Sequence, residues 1–236
     1  MPAKNNETQD LSHLSRLLAL EATYRLRPET MEEFLAGGTL IALDTYEPMI
    51  DAGVFDPNIY IVKTGLIRGT YLDKNTEKTA GFALPGTVLM SFHCYYGHEP
   101  SYYRFEACCP TTLLRIPRQY FDEMLERSHE FSLWIMSMHQ NQLYYNESRH
   151  RLLSGDAKTR LIQLTRYMSG NADIIEAPDD VTDGDNIHRA LVRSGLYTRW
   201  KEIFRLVPSK IIASYLGITE QHFSKIKREV LLGDLG

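Results

Sequence analysis

Near the end of the chain runs Leu206-Val-Pro-Ser-Lys-Ile-Ile-Ala-Ser-Tyr-Leu-Gly-Ile-Thr-Glu-Gln-His-Phe-Ser-Lys-Ile-Lys-Arg228, and its spacing describes two helices joined by a tight turn. Pro208 or Ser209 can open the first helix. Ile212 and Leu216 supply its inner face, and Ala213 is small enough to let a second helix cross closely. Gly217 sits where a left-handed backbone is needed. Ile218 plugs the corner, Thr219 is a good N-cap, and Phe223 and Ile226 turn inward at helical spacing. Together these residues fill the constrained slots of a DNA-binding helix-turn-helix.

The second helix then has an outward face of Glu220, Gln221, Ser224 and Lys225. Gln can bond adenine through two hydrogen bonds, Lys can donate to guanine and Glu can accept from a cytosine amine. Lys210, Thr219, Lys227 and Arg228 are placed to hold phosphates. Glu220 also lies at a helix N-terminus, where the backbone dipole favours an anion. Between Leu196 and Glu229 stand seven basic residues (Arg199, Lys201, Arg205, Lys210, Lys225, Lys227, Arg228) against three acidic ones (Glu202, Glu220, Glu229). The whole chain carries a net charge of −4, so the positive field is local to this segment.

Working outward, Ala157 to Met168 has helical spacing, and Gly155-Asp156 marks a joint before it. Ser169 to Asp185 reads as an acidic, solvated connection, and Ile187 to Phe204 as a mixed, partly helical segment. A run without Gly or Pro spans Phe131 to Leu153, with Trp134, Met138, Tyr145 and Leu152 on one stripe. Asn141 and Ser148 interrupt that stripe, so it is an imperfect coiled-coil seam. The run can lie on the chain's own core or pair with a second copy.

From Thr39 to Ile116 the texture is β. Short branched and aromatic runs (Ile59 to Val62, Leu66 to Leu72, Leu113 to Ile116) alternate with turn chemistry at Asp51-Ala-Gly53, Asp56-Pro-Asn58, Lys63-Thr-Gly65, Asp73-Lys-Asn75 and Leu84-Pro-Gly86. This suggests a barrel or sandwich. Leu11 to Leu35 reads as one helix ended by Gly37-Gly38.

The 236 residues are 43% hydrophobic, enough for a core and against wholesale disorder. No apolar run reaches a membrane span, so no membrane partner is expected. Met1 to Asp10 lacks the apolar core of a signal peptide, and the odd, partly adjacent cysteines Cys94, Cys108 and Cys109 suit a reducing cytoplasm. His93, Cys94 and His98 match no spacing with specific ligand geometry, and no metal, cofactor or catalytic constellation is expected; the chain does not read as an enzyme.

A β-rich first half, a long helix and a terminal helix-turn-helix resemble the Crp/Fnr family of bacterial transcription regulators. The resemblance is carried by Ile212 to Arg228, by the barrel hairpin Tyr60-Ile-Val-Lys-Thr-Gly-Leu-Ile-Arg68, by Phe82-Ala-Leu-Pro-Gly86, and by Ala157-Lys-Thr-Arg-Leu-Ile-Gln-Leu164. It implies an α+β architecture. An N-terminal antiparallel β-barrel, a jelly-roll of cyclic-nucleotide-binding type, would occupy residues 1–130. A dimerisation helix would follow at 131–155, and a winged helix-turn-helix domain at 156–236. It implies a homodimer on double-stranded DNA, with RNA polymerase as a further partner. By resemblance Glu220, Gln221 and Lys225 fall where the family reads bases, departing from its common Arg, Glu and Arg. Nucleotide-binding members carry a Gly-Glu pair and, about ten residues on, Arg with Ser or Thr. Here Met90-Ser91 and Ser101-Tyr102 stand near those positions. Arg104 could serve only after a register shift, so cyclic AMP is not the expected effector. An effector pocket, if open, would be lined by Phe92, Tyr95, Tyr96, Tyr102, Tyr103 and Arg104. The alternative is a small-molecule- or metal-binding barrel of cupin type, with His93 and His98 as ligands.

Overall fold

A computed structural model describes residues 11–21, 24–168, 204 and 207–232. The acidic stretch 169–185, the mixed segment 187–203, and any wing beyond residue 232 lie outside the described residues, as do Met1 to Asp10.

The expected single N-terminal helix is two: α1 (Ser12–Glu21) and α2 (Pro28–Ala36). Pro28 is the cause. The ring disfavours a helical residue before it, and Arg27 is extended at φ −63°, ψ 145°. Pro28 then opens α2, where its missing N–H costs nothing.

Eight strands follow: β1 (Thr39–Leu43), β2 (Pro48–Ile50), β3 (Ile59–Thr64), β4 (Ile67–Asp73), β5 (Thr76–Ala83), β6 (Val88–Met90), β7 (Arg104–Ala107) and β8 (Thr111–Ile116). They form two four-stranded antiparallel sheets, ordered β1-β8-β3-β6 and β2-β7-β4-β5. The described strands are therefore a two-sheet jelly-roll and do not close into one barrel. The segment 60–68 is not a paired hairpin either. Gly65, at φ +90°, carries the chain from β3 in one sheet to β4 in the other. A Cβ there would sit 2.3 Å from Thr111 Oγ1 and 2.7 Å from its Cα, so only glycine fits. The true hairpin is β4–β5, turned by Lys74 and Asn75 at φ +48° and +66°.

Strand alternation sorts the core. Tyr60, Val62, Ile67, Ala83, Ala107 and Leu113 fill the space between the sheets. Ile59, Ile61, Leu114 and Ile116 point the other way, onto α1, α2, α4 (Arg118–Arg127) and α5 (His129–Ser154). There Phe34, Phe121, Phe131 and Trp134 form an aromatic cluster with centroids 4.8–6.2 Å apart. A third cluster joins Leu66, Phe82, Cys108 and Cys109 to α6 (Ala157–Met168), α7 (Ser209–Leu216) and α8 (Glu220–Lys227). Beta5 is an edge strand, and α7 covers it: the Thr79 N–H donates to Ser214 Oγ at 3.0 Å, and the Phe82 and Tyr215 rings lie 5.2 Å apart. The edge is thereby blunted. This apolar cluster straddles the joint expected at Gly155-Asp156.

Candidate nucleic-acid interface and effector loop

The two C-terminal helices form as the spacing predicts. Pro208 precedes α7, and Gly217 closes it at φ +67° with its N–H bonded back to the last turn. Thr219 caps α8, its hydroxyl accepting from the His222 N–H at 3.2 Å. Ile212, Ala213, Leu216, Phe223 and Ile226 are buried between the helices. Alpha7 has a second apolar face the inward pattern does not reveal: Ile211 and Tyr215 are buried too.

With that face committed, Glu220, Gln221, Ser224, Lys225 and Arg228 are all exposed, as are Lys210 and Thr219. His222 is exposed among them. The sequence reading passed over it, although its place one turn before Lys225 is the signal that could have found it. Lys227 is half-buried. Its ammonium folds back over the rings of Phe204 and Phe223, at 5.4 and 5.8 Å, and burial pulls its pKa down.

The loop expected to hold an effector runs from β6 through α3 (Phe92–Tyr95) to β7. Ser91 and Ser101, near the two family positions that hold ribose and phosphate, are both buried and joined by a 3.0 Å hydrogen bond between their hydroxyls. Ser91 also caps α3, and the Ser101 hydroxyl donates to the Tyr103 carbonyl at 2.8 Å. The pair is neutral and mutually satisfied.

The six expected pocket residues fall into groups: Tyr96 meets both Phe92 and Tyr95, Tyr102 meets Tyr103, and Arg104 pairs with carboxylates. Tyr95 is buried, bonds Asp122 through its hydroxyl and lies under Arg118. Burial and Asp122 push the Tyr95 pKa up. Phe92 and Tyr96 stack at 6.0 Å and face His139 of α5 at 5.6 and 6.2 Å. Burial holds the His139 pKa below its ordinary value. Tyr102 and Tyr103 turn to the other side, against Tyr71 and His93. Arg104 is spoken for. Its Nε bonds Glu106 at 2.7 Å and its Nη1 pairs with Asp51, while Glu106 also holds the buried Arg68 at 2.6 Å. Strand alternation puts Arg104 and Glu106 on the opposite face of β7 from Phe105, which packs on the core between the sheets. Arg104 is thus paired with two carboxylates, those of Asp51 and Glu106.

His93, Cys94 and His98 also point apart. His93 meets Tyr102, His98 lies 3.5 Å from Arg118, and buried Cys94 bonds the Asp56 N–H and the Val54 carbonyl. No group of three or more His, Cys, Asp or Glu gathers among the described residues. Burial pushes the Cys108 thiol up to about 12, which keeps it protonated and unreactive.

On α5 two residues of the expected stripe face the chain's own core. Trp134 is fully buried in its own core and Met138 packs against that core, while the side chains of Tyr145 and Leu152 lie outside the described residues. Among the described residues, the large apolar side chains α5 leaves exposed are Met136 and Leu143, at 66% and 64%, seven residues apart on one stripe. No helix of the described residues is long and apolar enough to cross a membrane.

Residues 45–128 match the cyclic nucleotide-binding domain family. No curated protein matches the chain. Among solved structures it is similar to FixK2 from Bradyrhizobium japonicum, at 18% identity, over 81% of this chain and 83% of that one, with a TM-score of 0.58. It is similar too to CLP of Xanthomonas campestris, described as a c-di-GMP responsive global regulator, at 12% identity over 89% and 94% of the two chains, with a TM-score of 0.58. The resemblance drawn from the residues, to regulators of Crp/Fnr type, holds at the level of fold.

Proposed function

We propose that the chain is a transcription regulator that binds double-stranded DNA as a homodimer through the outward face of α8. The observation that carries the reading is the division of α8. Phe223 and Ile226 are buried, and Gln221, His222, Ser224, Lys225 and Arg228 stand together in solvent with hydrogen-bonding and cationic ends. Lys210 and Thr219 flank that face as phosphate contacts, and Glu220 serves at the helix start. Two copies would present two such helices to successive major grooves about 34 Å apart on a near-palindromic site.

Dimerisation would run along the Met136–Leu143 stripe of α5. RNA polymerase is the expected further partner and the cytoplasm the expected compartment. Cyclic AMP is not the expected effector. The Ser91–Ser101 pair offers no cation to a phosphate, and Arg104 is already neutralised by Asp51 and Glu106.

The test is selection of bound duplexes from random oligonucleotides, followed by fluorescence anisotropy on the selected site. A recovered inverted repeat with half-sites one helical turn apart supports the reading. Recovery of no enriched sequence overturns it.

A further inference from the structure

Alpha6 carries one side chain that reaches two other elements. Arg160 donates from Nε to the Gly155 carbonyl at 2.9 Å and from Nη1 to the Leu216 carbonyl at 2.8 Å. Gly155 is the joint after α5, and Leu216 is the last residue of α7, immediately before the left-handed turn at Gly217. Both acceptors are main-chain oxygens. Leu216 offers one of the carbonyls that a helix end leaves without an intrahelical partner, at the negative end of the helix dipole. The guanidinium lies close against the turn itself, since a Cβ on Gly217 would be 3.5 Å from Nη1. Asp156 secures the base of the brace by accepting from the Thr159 N–H at 2.7 Å.

We infer that Arg160 is a positioning residue: its planar fork fixes the reading helix α8 relative to the long helix α5. This rests on the DNA-binding reading above. Alpha8 follows α7 through Gly217 and Ile218 and packs with α6 and α7 in one apolar cluster, where Lys158 of α6 also pairs with Glu229 at 2.7 Å, so a rotation at the 155–156 joint would carry α8 with it. Two reading helices must meet a fixed groove spacing, and loss of orientation removes the gain from engaging both at once. A Lys at 160 keeps charge and stem but lacks the two-pronged geometry.

The experiment compares the full chain with Arg160→Met and Arg160→Lys on the selected operator, on a single half-site, and on operators with altered spacing. Thermal unfolding is followed in parallel. The expected result is a loss of about a hundredfold on the full operator, half-site affinity within about twofold, and a flattened spacing preference in both variants. Equal losses on half-site and full site would show a residue that only stabilises the helix pair, and would overturn the inference. So would unchanged operator binding, or full rescue by Lys. If Arg160→Met does not fold, Arg160→Lys alone decides by the same half-site comparison. Failure of the unsubstituted chain to bind any duplex would instead overturn the DNA-binding reading, and the brace with it.

Discussion

Ser91 and Ser101 are two buried serines whose hydroxyls share one hydrogen bond at 3.0 Å. Each satisfies the other's hydroxyl in a buried position, where a cyclic nucleotide would require a carboxylate and a guanidinium. Calorimetric titration with cyclic AMP should therefore give no binding heat at millimolar ligand. Ser101→Ala leaves Ser91 with one fewer partner and should lower stability by about 1 kcal/mol, read from the urea midpoint. Gly217 is constrained differently. At φ +67° its backbone is in the left-handed region, and Gly217→Ala should cost about 1 kcal/mol in the same measurement. That Gly217 and Thr219 could be assigned from sequence follows from the locality of turn and cap chemistry. That Lys227 would fold over Phe204 and Phe223 could not be assigned, because Phe204 is 23 residues away and only packing brings it there.

Alpha5 is the element on which sequence and structure part. Its heptad phase favours Trp134 and Met138 as a seam, but apolar residues lie on more than one side of the helix, and periodicity cannot say which side the sheets claim. The aromatic cluster around Phe34 claims Trp134, leaving Met136 and Leu143 outside. Trp134→Ala should cost on the order of 3–5 kcal/mol, read by urea unfolding. Met136→Asp with Leu143→Asp should leave stability nearly unchanged and shift sedimentation from dimer to monomer; a persisting dimer would place the seam elsewhere. His139, also on α5 and packed on Phe92 and Tyr96, gives the helix a pH dependence. Burial disfavours its imidazolium in the folded chain, so the unfolded chain takes up the proton first as pH falls. Stability is full above about pH 6.5 and declines as pH drops below it. His139→Phe should flatten that part of the decline, measured as the urea midpoint against pH.

At the scale of the molecule, β3, β4, β8 and the turns around them are readable from apolar runs and punctuation, but β1, β2, β5, β6, β7 and the partition into two sheets are not. Beta1 pairs with β8 and β3 with β6 and β8, across separations that no local pattern encodes. The same limit hid the docking of α7 on β5, which makes one apolar cluster of the β4–β5 sheet and the helix pair. That docking leaves the outward face of α8 free, and the account stands on what that face does. The most direct measurement is fluorescence anisotropy of the full chain on its selected operator, with and without Gln221→Ala and Lys225→Ala together. Each substitution should remove about 1–3 kcal/mol of base-specific binding, so the double variant should lose at least about thirtyfold on the operator while weak, salt-sensitive binding to unrelated duplex remains. Undiminished operator binding by the double variant would contradict the account.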